Sequence, residues 1–192
     1  MVAGITASEK GRNVLIIEKQ SMLGAGDSMN ISPGITAGGS RLIKELGIKN
    51  ATAKDYADFL VKQAADKKVP INEKNVRTYA MRGGELVDWL MDMGVPFGRF
   101  QRDKWFHITQ DGSAPGPHIV RALSKRIAND KIAYRLNSQV VNLIMKNGKV
   151  VGAKVKTDAG SYTVNAKAVV MATGGFSASH DLVAKWAPEW VG

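Results

Sequence analysis

The sequence of 192 residues contains no cysteine. It therefore forms no disulfide, no thiolate metal site and no cysteine nucleophile, although this absence does not identify a redox compartment. It also lacks any apolar run of about 18 residues, the length that a membrane-spanning helix requires. No secretory signal pattern follows Met1. We therefore expect a cytoplasmic location, unless residues upstream of Met1 carry a signal.

Acidic residues are scarce relative to basic ones. The 27 lysines and arginines outnumber 17 acids, which leaves a formal net charge of +10. Such an excess favours anionic ligands, phosphates included. Because the basic residues are spread along the chain and no basic run is interleaved with aromatic side chains, nucleic acid is not an expected partner. At this length the chain holds one domain, or one domain and part of another.

A glycine-rich phosphate-binding turn is also missing where one is expected. Residues 14–17 form a short apolar run that predicts a buried parallel strand, and Glu18 closes it. A helix of small residues is predicted over 2–10. In a dinucleotide-binding βαβ unit, a first strand and a G-x-G-x-x-G turn stand before such a helix, and an acid about 20 residues later binds the ribose. We therefore expect that first strand and its glycine turn to lie upstream of Met1.

Two helices are predicted in the middle of the sequence. Thr52 and Asp55 have the spacing of a capping box at the start of the first helix. Asn72 begins a longer helix that stops at Gly94. A Gly-Gly pair inside this second helix is expected to weaken it. We interpret residues 51–97 as a helical insertion.

Two long segments are predicted to be loops. Residues 21–40 are rich in glycine, serine, asparagine and proline and are too long for an idle connection, so a binding role is expected. Residues 107–117 form a second loop rich in small residues. A helix is predicted from 118 to about 129, followed by a short strand over 132–136.

The last third of the sequence predicts three antiparallel strands and then one parallel strand. The β-branched runs over 140–145, 150–156 and 161–164 are separated by two turn signals, of which the Asn-Gly pair at 147–148 is the stronger. These strands form a meander. A second unalternated apolar run over 168–171 predicts another buried parallel strand.

Five short segments carry a resemblance to a known family. They are Leu15-Ile16-Ile17-Glu18-Lys19, the loop from Gly24 to Gly38, Val87-Asp88-Trp89-Leu90 with Met93-Gly94-Val95-Pro96, Arg135-Leu136-Asn137-Ser138 and Ala172-Thr173-Gly174-Gly175-Phe176. In this order and spacing, they resemble the flavoprotein of the fumarate reductase and succinate dehydrogenase superfamily, especially the soluble flavocytochrome-like fumarate reductases. The resemblance runs from Val2 to about Pro188.

The resemblance implies an α/β fold. This would be a Rossmann-like FAD-binding domain with a parallel sheet, a three-stranded antiparallel meander and a helical insertion. Residues 1–50 and 98–192 would form the FAD-binding domain, and 51–97 the insertion. The first strand, the glycine turn and the capping domain would be absent, so we expect the sequence to be a truncated part of a longer flavoprotein.

The resemblance also implies which residues bind FAD. They are Glu18, Lys19, Gly26, Ser28, Gly34, Ile35, Thr36, Val140, Ala172, Thr173, Gly174 and Gly175. The first two would hold the adenosine ribose, because a carboxylate at a strand end can accept both hydroxyls. The next two would follow the pyrophosphate and ribityl chain, and the three after them would face the isoalloxazine ring. The backbone of Val140 would pair with adenine, and the last four residues would approach the cofactor closely, as glycine allows.

Two positions depart from the family's pattern. Asp27 stands where the family usually has asparagine, and an anion beside a pyrophosphate is unfavourable. His107 is followed by Ile108, where the family has arginine. No metal-ligand spacing links the three histidines, so no metal site is expected. No catalytic residue is identified in the sequence.

The function implied by the resemblance is that of an oxidoreductase. The family transfers hydride between a flavin and a double bond next to a carboxylate, so a dicarboxylate such as fumarate or succinate is the expected substrate. The family's dicarboxylate clamp and proton donor have no counterpart here. The alternatives are a degenerate or truncated fragment that binds no flavin, and a related flavin reductase acting on urocanate or a ketosteroid. Without the glycine turn, we expect FAD binding to be weak or absent and the chain to self-associate through exposed sheet edges.

Overall fold

The computed structural model describes residues 1–30 and 33–191, which belong to two compact units, Met1–Leu136 and Asn137–Gly192. The first unit contains α1 (Val2–Glu9), β1 (Leu15–Ile17), α2 (Asp27–Asn30), β2 (Ile35–Thr36), α3 (Arg41–Glu45), α4 (Ala53–Asp66), α5 (Glu73–Asp92), β3 (Phe97–Gln101), β4 (Phe106–Thr109), α6 (Pro115–Asn129) and β5 (Ala133–Arg135). The second contains β6 (Gln139–Lys146), β7 (Lys149–Thr157), β8 (Gly160–Asn165), α7 (His180–Trp186) and a 3-10 turn (Pro188–Trp190). The mixed α/β class predicted from the sequence is confirmed.

A parallel strand pair follows the first helix. β1 pairs with β5 so that Leu15 lies opposite Ala133, and the Glu18 N–H extends the ladder by donating to the Arg135 carbonyl oxygen at 2.9 Å. The predicted parallel strand is therefore confirmed. Its predicted burial is wrong, because Leu15 is 38% exposed. A pair of three-residue strands is too narrow a surface to be covered on both faces.

The two predicted helices in the middle of the chain are both present and pack against each other. The Thr52 hydroxyl accepts from the Asp55 N–H, and the Asp55 carboxylate accepts from the Thr52 N–H, which completes the capping box that begins α4. The Asn72 side chain accepts from the Asn75 N–H at 3.1 Å and begins α5. Among the described residues, no helix combines the length and the hydropathy of a membrane span.

The glycine pair in α5 lies where this helix meets the segment after β2. A Cβ added to Gly84 would lie 2.6 Å from the Gly38 carbonyl oxygen and 2.8 Å from the Gly39 carbonyl carbon. A Cβ on Gly83 would lie 3.1 Å from the Ala37 Cβ. The two glycines lower the helix propensity of α5, as expected. They also allow the close contact between the two backbones, because a helix surface with side chains could not come this near.

A small antiparallel sheet in the first unit was not predicted. Its strand order is β2-β4-β3, and β3 and β4 form a hairpin whose turn ends at Trp105, a residue with a positive φ of 57°. Trp105 is buried, and its ring centroid lies 5.0 Å from that of Tyr56 in α4. The loop predicted over 107–117 is shorter, because β4 continues to Thr109 and α6 begins at Pro115.

The second unit contains the predicted meander. β6, β7 and β8 pair antiparallel in chain order, with Lys146 opposite Lys149 across the Asn-Gly turn at 147–148. The prediction of a buried parallel strand over 168–171 is wrong. That segment has no strand partner in the described part of the chain, and Val170 and Met171 are 71% and 56% exposed. An apolar run forms a buried strand only where a neighbouring strand completes its hydrogen bonds.

The contact at Gly84 leads to a stability prediction. We expect Gly84→Ala to lower the free energy of unfolding by about 2 kcal/mol, because the overpacking cost exceeds the gain of about 1 kcal/mol in helix propensity. Urea unfolding followed by circular dichroism measures the change. Gly26→Ala is the control, because its Cβ would meet no atom within 4 Å, and a change within about 0.5 kcal/mol is expected. A Gly84→Ala protein as stable as the parent would contradict the close backbone contact.

Candidate cofactor site

Glu18 lies at the carboxyl end of β1, as the sequence predicts. One of its carboxylate oxygens accepts from the Gln20 N–H at 2.9 Å, which holds the side chain in a tight turn. A carboxylate has about four acceptor positions, so this bond leaves capacity for further donors such as hydroxyls. Helix α1 packs against the strand that Glu18 follows, because a Cβ added to Gly4 would lie 3.0 Å from Ile16 Cδ1. The next residue, Lys19, is exposed.

The two glycines in the loop between β1 and α2 have different surroundings. Gly24 has a φ of +75°, and a Cβ there would lie 2.7 Å from Met1 Cε and 2.8 Å from Val120 Cγ1. Gly26 is exposed, has no positive φ, and would place its Cβ in open space. An added Cβ at this position would therefore meet no atom of the described part of the chain. Ser28 is likewise exposed, in α2.

Gly34, Ile35 and Thr36 are half-buried and lie on the edge of the β2-β4-β3 sheet. A Cβ on Gly34 would lie 2.7 Å from Phe106 Cβ, so this glycine is needed for packing within the protein. Ile35 lies opposite His107 in the β2–β4 pairing. The Thr36 hydroxyl lies 3.1 Å from the Tyr79 hydroxyl of α5.

His107 is fully buried behind this segment. Its Nδ1 lies 3.2 Å from the Ile35 carbonyl oxygen, which can only accept, so Nδ1 carries the proton. Its Nε2 then accepts from the Ser40 hydroxyl at 2.7 Å, while Ser40 Oγ accepts from the Ile43 N–H at 3.3 Å. Burial lowers the pKa of His107 to about 4, and the Ile35 hydrogen bond and the Asp88 charge oppose the shift. His107 is therefore a neutral residue that holds β2 and the start of α3 in place.

A polar network missed by the sequence analysis closes the loop before α6. One Asp111 carboxylate oxygen accepts from the Thr109 hydroxyl at 2.7 Å, from the Ser113 hydroxyl at 2.7 Å and from the Ser113 N–H at 2.9 Å. These bonds hold the pKa of Asp111 well below its usual range. His118 Nε2 lies 3.1 Å from Ser113 Oγ. An Asp-Gly-Ser sequence is a recognised turn signal and could have indicated this arrangement.

The remaining predicted site residues lie in the second unit. Val140 is half-buried in β6 and lies opposite Val155 of β7. Residues 172–175 are exposed, and the residues directly before them, 168–171, do not form a strand. Gly174 has a φ of +75°, and a Cβ on Gly175 would meet no atom within 4 Å. In the described ranges, no group of three or more histidines and acids could hold a metal ion.

The residues of the first unit fit the chemistry of a flavin dinucleotide. Glu18 is an anionic acceptor of the kind that suits ribose hydroxyls, and it follows the strand against which α1 packs. Gly26 is exposed and carries no side chain. Thr36 contributes a hydroxyl from an edge strand. Each of these groups suits a different part of a ribose, phosphate and heteroaromatic ligand.

The buried imidazole leads to a pH prediction. Because the folded pKa of His107 is about 4 and the unfolded value is near 6.5, the unfolded chain binds the extra proton as pH falls between these values. The folded state should therefore lose about 2 kcal/mol of stability between pH 7 and pH 5 through this residue. Urea unfolding at both pH values measures this loss.

His107→Gln should remove that part of the pH dependence, whatever its effect at pH 7. His180→Gln, which changes an exposed histidine, should retain it. An equal drop in stability in the His107→Gln protein would show that another group titrates.

Comparison with known proteins agrees with this chemistry. The FAD binding domain family matches residues 1–191. A NADH:fumarate oxidoreductase of Klebsiella pneumoniae is 29% identical over 98% of this chain and 20% of its own length, and a probable fumarate reductase, Ifc3, of Shewanella frigidimarina is 31% identical over 97% and 32%. The open conformation of a flavocytochrome c3 fumarate reductase superposes with a TM-score of 0.88 at 27% identity, covering 98% of this chain and 34% of that one.

The chain thus spans between a fifth and about a third of the length of these relatives. FAD is the cofactor of the matched family. The resemblance drawn from the five sequence segments is confirmed, because the matched region covers nearly the whole sequence. The chain belongs to the FAD binding domain family, among the fumarate reductase-like flavoproteins.

Proposed function

We propose that this chain holds FAD within a fumarate reductase-like oxidoreductase that transfers hydride between the flavin and a carbon–carbon double bond activated by a carboxylate. The observation that carries the proposal is the position of Glu18, at the carboxyl end of a parallel strand against which α1 packs. Ligands of open α/β sheets bind outside the carboxyl ends of the strands. A dicarboxylate such as fumarate or succinate is the proposed substrate of the whole protein.

This proposal gives a binding role to each predicted site residue of the first unit. Glu18 accepts the ribose hydroxyls, and the exposed Lys19 lies beside it. Gly26 and Ser28 present backbone and hydroxyl groups to the pyrophosphate, and the net charge of +10 raises the local concentration of such an anion. Gly34, Ile35 and Thr36 lie against the ring system. The bound flavin supplies the hydride chemistry.

Residues of the second unit complete the proposed list. The backbone of Val140 is proposed to pair with adenine. Ala172, Thr173, Gly174 and Gly175 are proposed to contact the cofactor through exposed backbone, and the open Cβ position of Gly175 supports this role. We also propose that residues 51–97 form an insertion in the FAD-binding domain. A cytoplasmic location is a further proposal.

Two alternatives make different predictions. Asp27, an exposed acid in the first turn of α2, would repel a pyrophosphate and favours a degenerate chain that binds no flavin. A urocanate-type or ketosteroid-type reductase would retain FAD binding and change only the substrate. Flavin titration therefore separates a chain that binds no flavin from the main proposal and from the second alternative. Turnover by the whole protein with each substrate then separates those two.

The role of Glu18 is tested by comparing FAD with FMN, which lacks the adenosine ribose. We expect the chain to bind FAD weakly, but still more tightly than FMN, in a flavin fluorescence titration. Glu18→Gln should weaken FAD binding by about tenfold or more, because hydrogen bonds to a charged group are worth about 1.5–3 kcal/mol. FMN binding should not change.

Glu85→Gln is the matched control, because Glu85 is an exposed acid of α5. It should leave the affinity for FAD unchanged. Equal affinities for FAD and FMN in the parent chain, or unchanged FAD binding by Glu18→Gln, would contradict the proposed ribose contact.

We also propose that the chain self-associates. Among the described residues, β1 and β5 pair only with each other, so each has an open edge. Open strand edges pair with other chains unless charges blunt them. Size-exclusion chromatography should show a dimer or larger species. Leu15→Lys in β1 should shift the protein towards monomer, whereas Val69→Lys on an exposed loop should not. A parent chain that stays monomeric at every concentration would contradict the proposal.

A further inference from the structure

One face of the β6-β7-β8 meander is polar and positively charged. Residues directly opposite each other in an antiparallel pair point to the same side of the sheet. Lys154 of β7 lies opposite Asn142 of β6 and Thr163 of β8. Lys156, two residues further along β7, points to the same side. The register places two more polar residues opposite Lys156, Gln139 and Ser161. All of these residues are exposed.

The hairpin end of the sheet adds two lysines to this face. Along β6, the alternation that begins at Asn142 continues to Lys146 with every residue paired, so both point to the same side. Lys149 lies directly opposite Lys146. The ladder passes over Val141 and Val151, which occupy the two bulge positions. The lysine face, defined by the four exposed lysines and their polar neighbours, is about 20 Å long.

The opposite face of the meander is apolar. Val155 is fully buried and Ala153 is 5% exposed. Tyr162 lies opposite Val155 and so points to this side. The meander therefore packs through one face and leaves the lysine face to solvent.

No acid balances the charge of the lysine face. The three strands contain no aspartate or glutamate, and Asp158 lies in the turn between β7 and β8. Among the described residues, none of the four lysines forms an ion pair. Lys146 and Lys149 lie directly opposite each other, and such like-charge pairs destabilise a sheet. An ordinary solvated face mixes both signs of charge, so the fold alone does not account for this one.

The spacing of the lysines matches an extended chain. Lys154 and Lys156 are two residues apart in one strand, which separates their Cα atoms by about 6.6–6.8 Å. An extended peptide presents alternate side chains to one side with the same repeat. Acids at alternating positions of such a peptide can therefore face both lysines at once. The amides and hydroxyls beside the lysines can donate further hydrogen bonds to the carboxylates.

Other anionic partners fit this face less well. Single-stranded nucleic acid gains much of its affinity by stacking bases on aromatic rings, and Tyr162, the one aromatic residue of the three strands, points to the other side. Insertion into a lipid surface needs exposed apolar side chains. Met145 is 57% exposed, but it precedes Lys146 in β6 and so points away from the lysine face.

We propose that the lysine face docks an extended acidic segment of a partner protein, with acids at alternating positions. Its contribution is electrostatic complementarity, which guides association and fixes the register of the bound segment. The inference goes beyond the proposed function and does not depend on FAD, because every residue that carries it lies in the meander.

The test uses the full chain and a fluorescein-labelled peptide of alternating glutamate and threonine, with binding measured by fluorescence anisotropy. We expect the peptide to bind at low ionic strength and to be released by added salt. The double variant Lys154→Gln with Lys156→Gln should weaken binding about fivefold or more, because two exposed ion pairs are lost. A peptide of the same composition with contiguous glutamates should bind more weakly, because half of its acids would point away from the sheet.

Lys67→Gln with Lys74→Gln is the matched control, because it removes the same charge from exposed positions in the α4–α5 region. It should leave peptide binding nearly unchanged. Circular dichroism spectra should be the same for both double variants. Acetylation of lysines, read by mass spectrometry, should fall on the lysine face when the peptide is bound and stay unchanged at Lys67 and Lys74.

Three results would overturn the proposal. The first is equal loss of peptide binding in the two double variants, which would show only the effect of net charge. The second is equal binding of the alternating and contiguous peptides. The third is that Lys154→Gln with Lys156→Gln weakens binding of oligouridylate, or of vesicles of phosphatidylserine and phosphatidylcholine, as strongly as binding of the peptide, which would indicate a general polyanion surface.

Discussion

The close contact between the backbone of α5 and the segment after β2 is the constraint on which the rest of the first unit depends. A single Cβ at Gly84 would lie within 2.9 Å of three backbone atoms, in Gly38, Gly39 and Ser40. Backbone atoms cannot move aside as a flexible side chain can. The position of this segment is therefore set by a helix that lies far from it in sequence. The Ser40–His107 hydrogen bond then holds its other side.

Different interactions position the residues at the two ends of the proposed cofactor site. At Glu18, the acid follows a two-stranded ladder, and one hydrogen bond from Gln20 orients it. Its position depends on the pairing of β1 with β5, and its side chain is partly exposed. The position of Thr36 depends on packing against α5, on pairing with β4 and on the Tyr79 hydroxyl, 3.1 Å from its own. A ligand that reaches both ends would be held by charge at the first and by a packed edge at the second.

Much of the fold could be predicted from the sequence where the signal is local. The capping box at Thr52, the cap at Asn72 and the Asn-Gly turn at 147–148 each specify a structure through neighbours within a few residues, and each is confirmed. The β3–β4 hairpin was missed because its turn depends on Trp105, whose positive φ is stabilised by packing against Tyr56 in a distant helix. No short window of sequence contains that contact.

Two further features could not be predicted for the same reason, because they depend on contacts that no short window of sequence contains. The apolar run over 168–171 has the composition of a buried strand, but a strand needs a partner, and composition does not state whether one is present. The sequence shows His107 only as a histidine followed by Ile108, whereas its burial and its bonds to Ile35 and Ser40 depend on the tertiary structure. For the site residues, the sequence could indicate Glu18 from its position after a strand. It could not indicate the contact of Tyr79 with Thr36, which joins residues 43 positions apart and has no motif.

Amide hydrogen exchange of the chain with and without excess FAD tests most directly whether the first unit holds the cofactor. If FAD lies across the carboxyl end of β1 and against the β2 edge, exchange should slow in segments 18–28 and 34–36. The exposed faces of α4, far from Glu18 in the chain, should exchange at an unchanged rate. Protection confined to other segments, or equal exchange in the presence of FAD at concentrations that quench its fluorescence, would contradict the central claim.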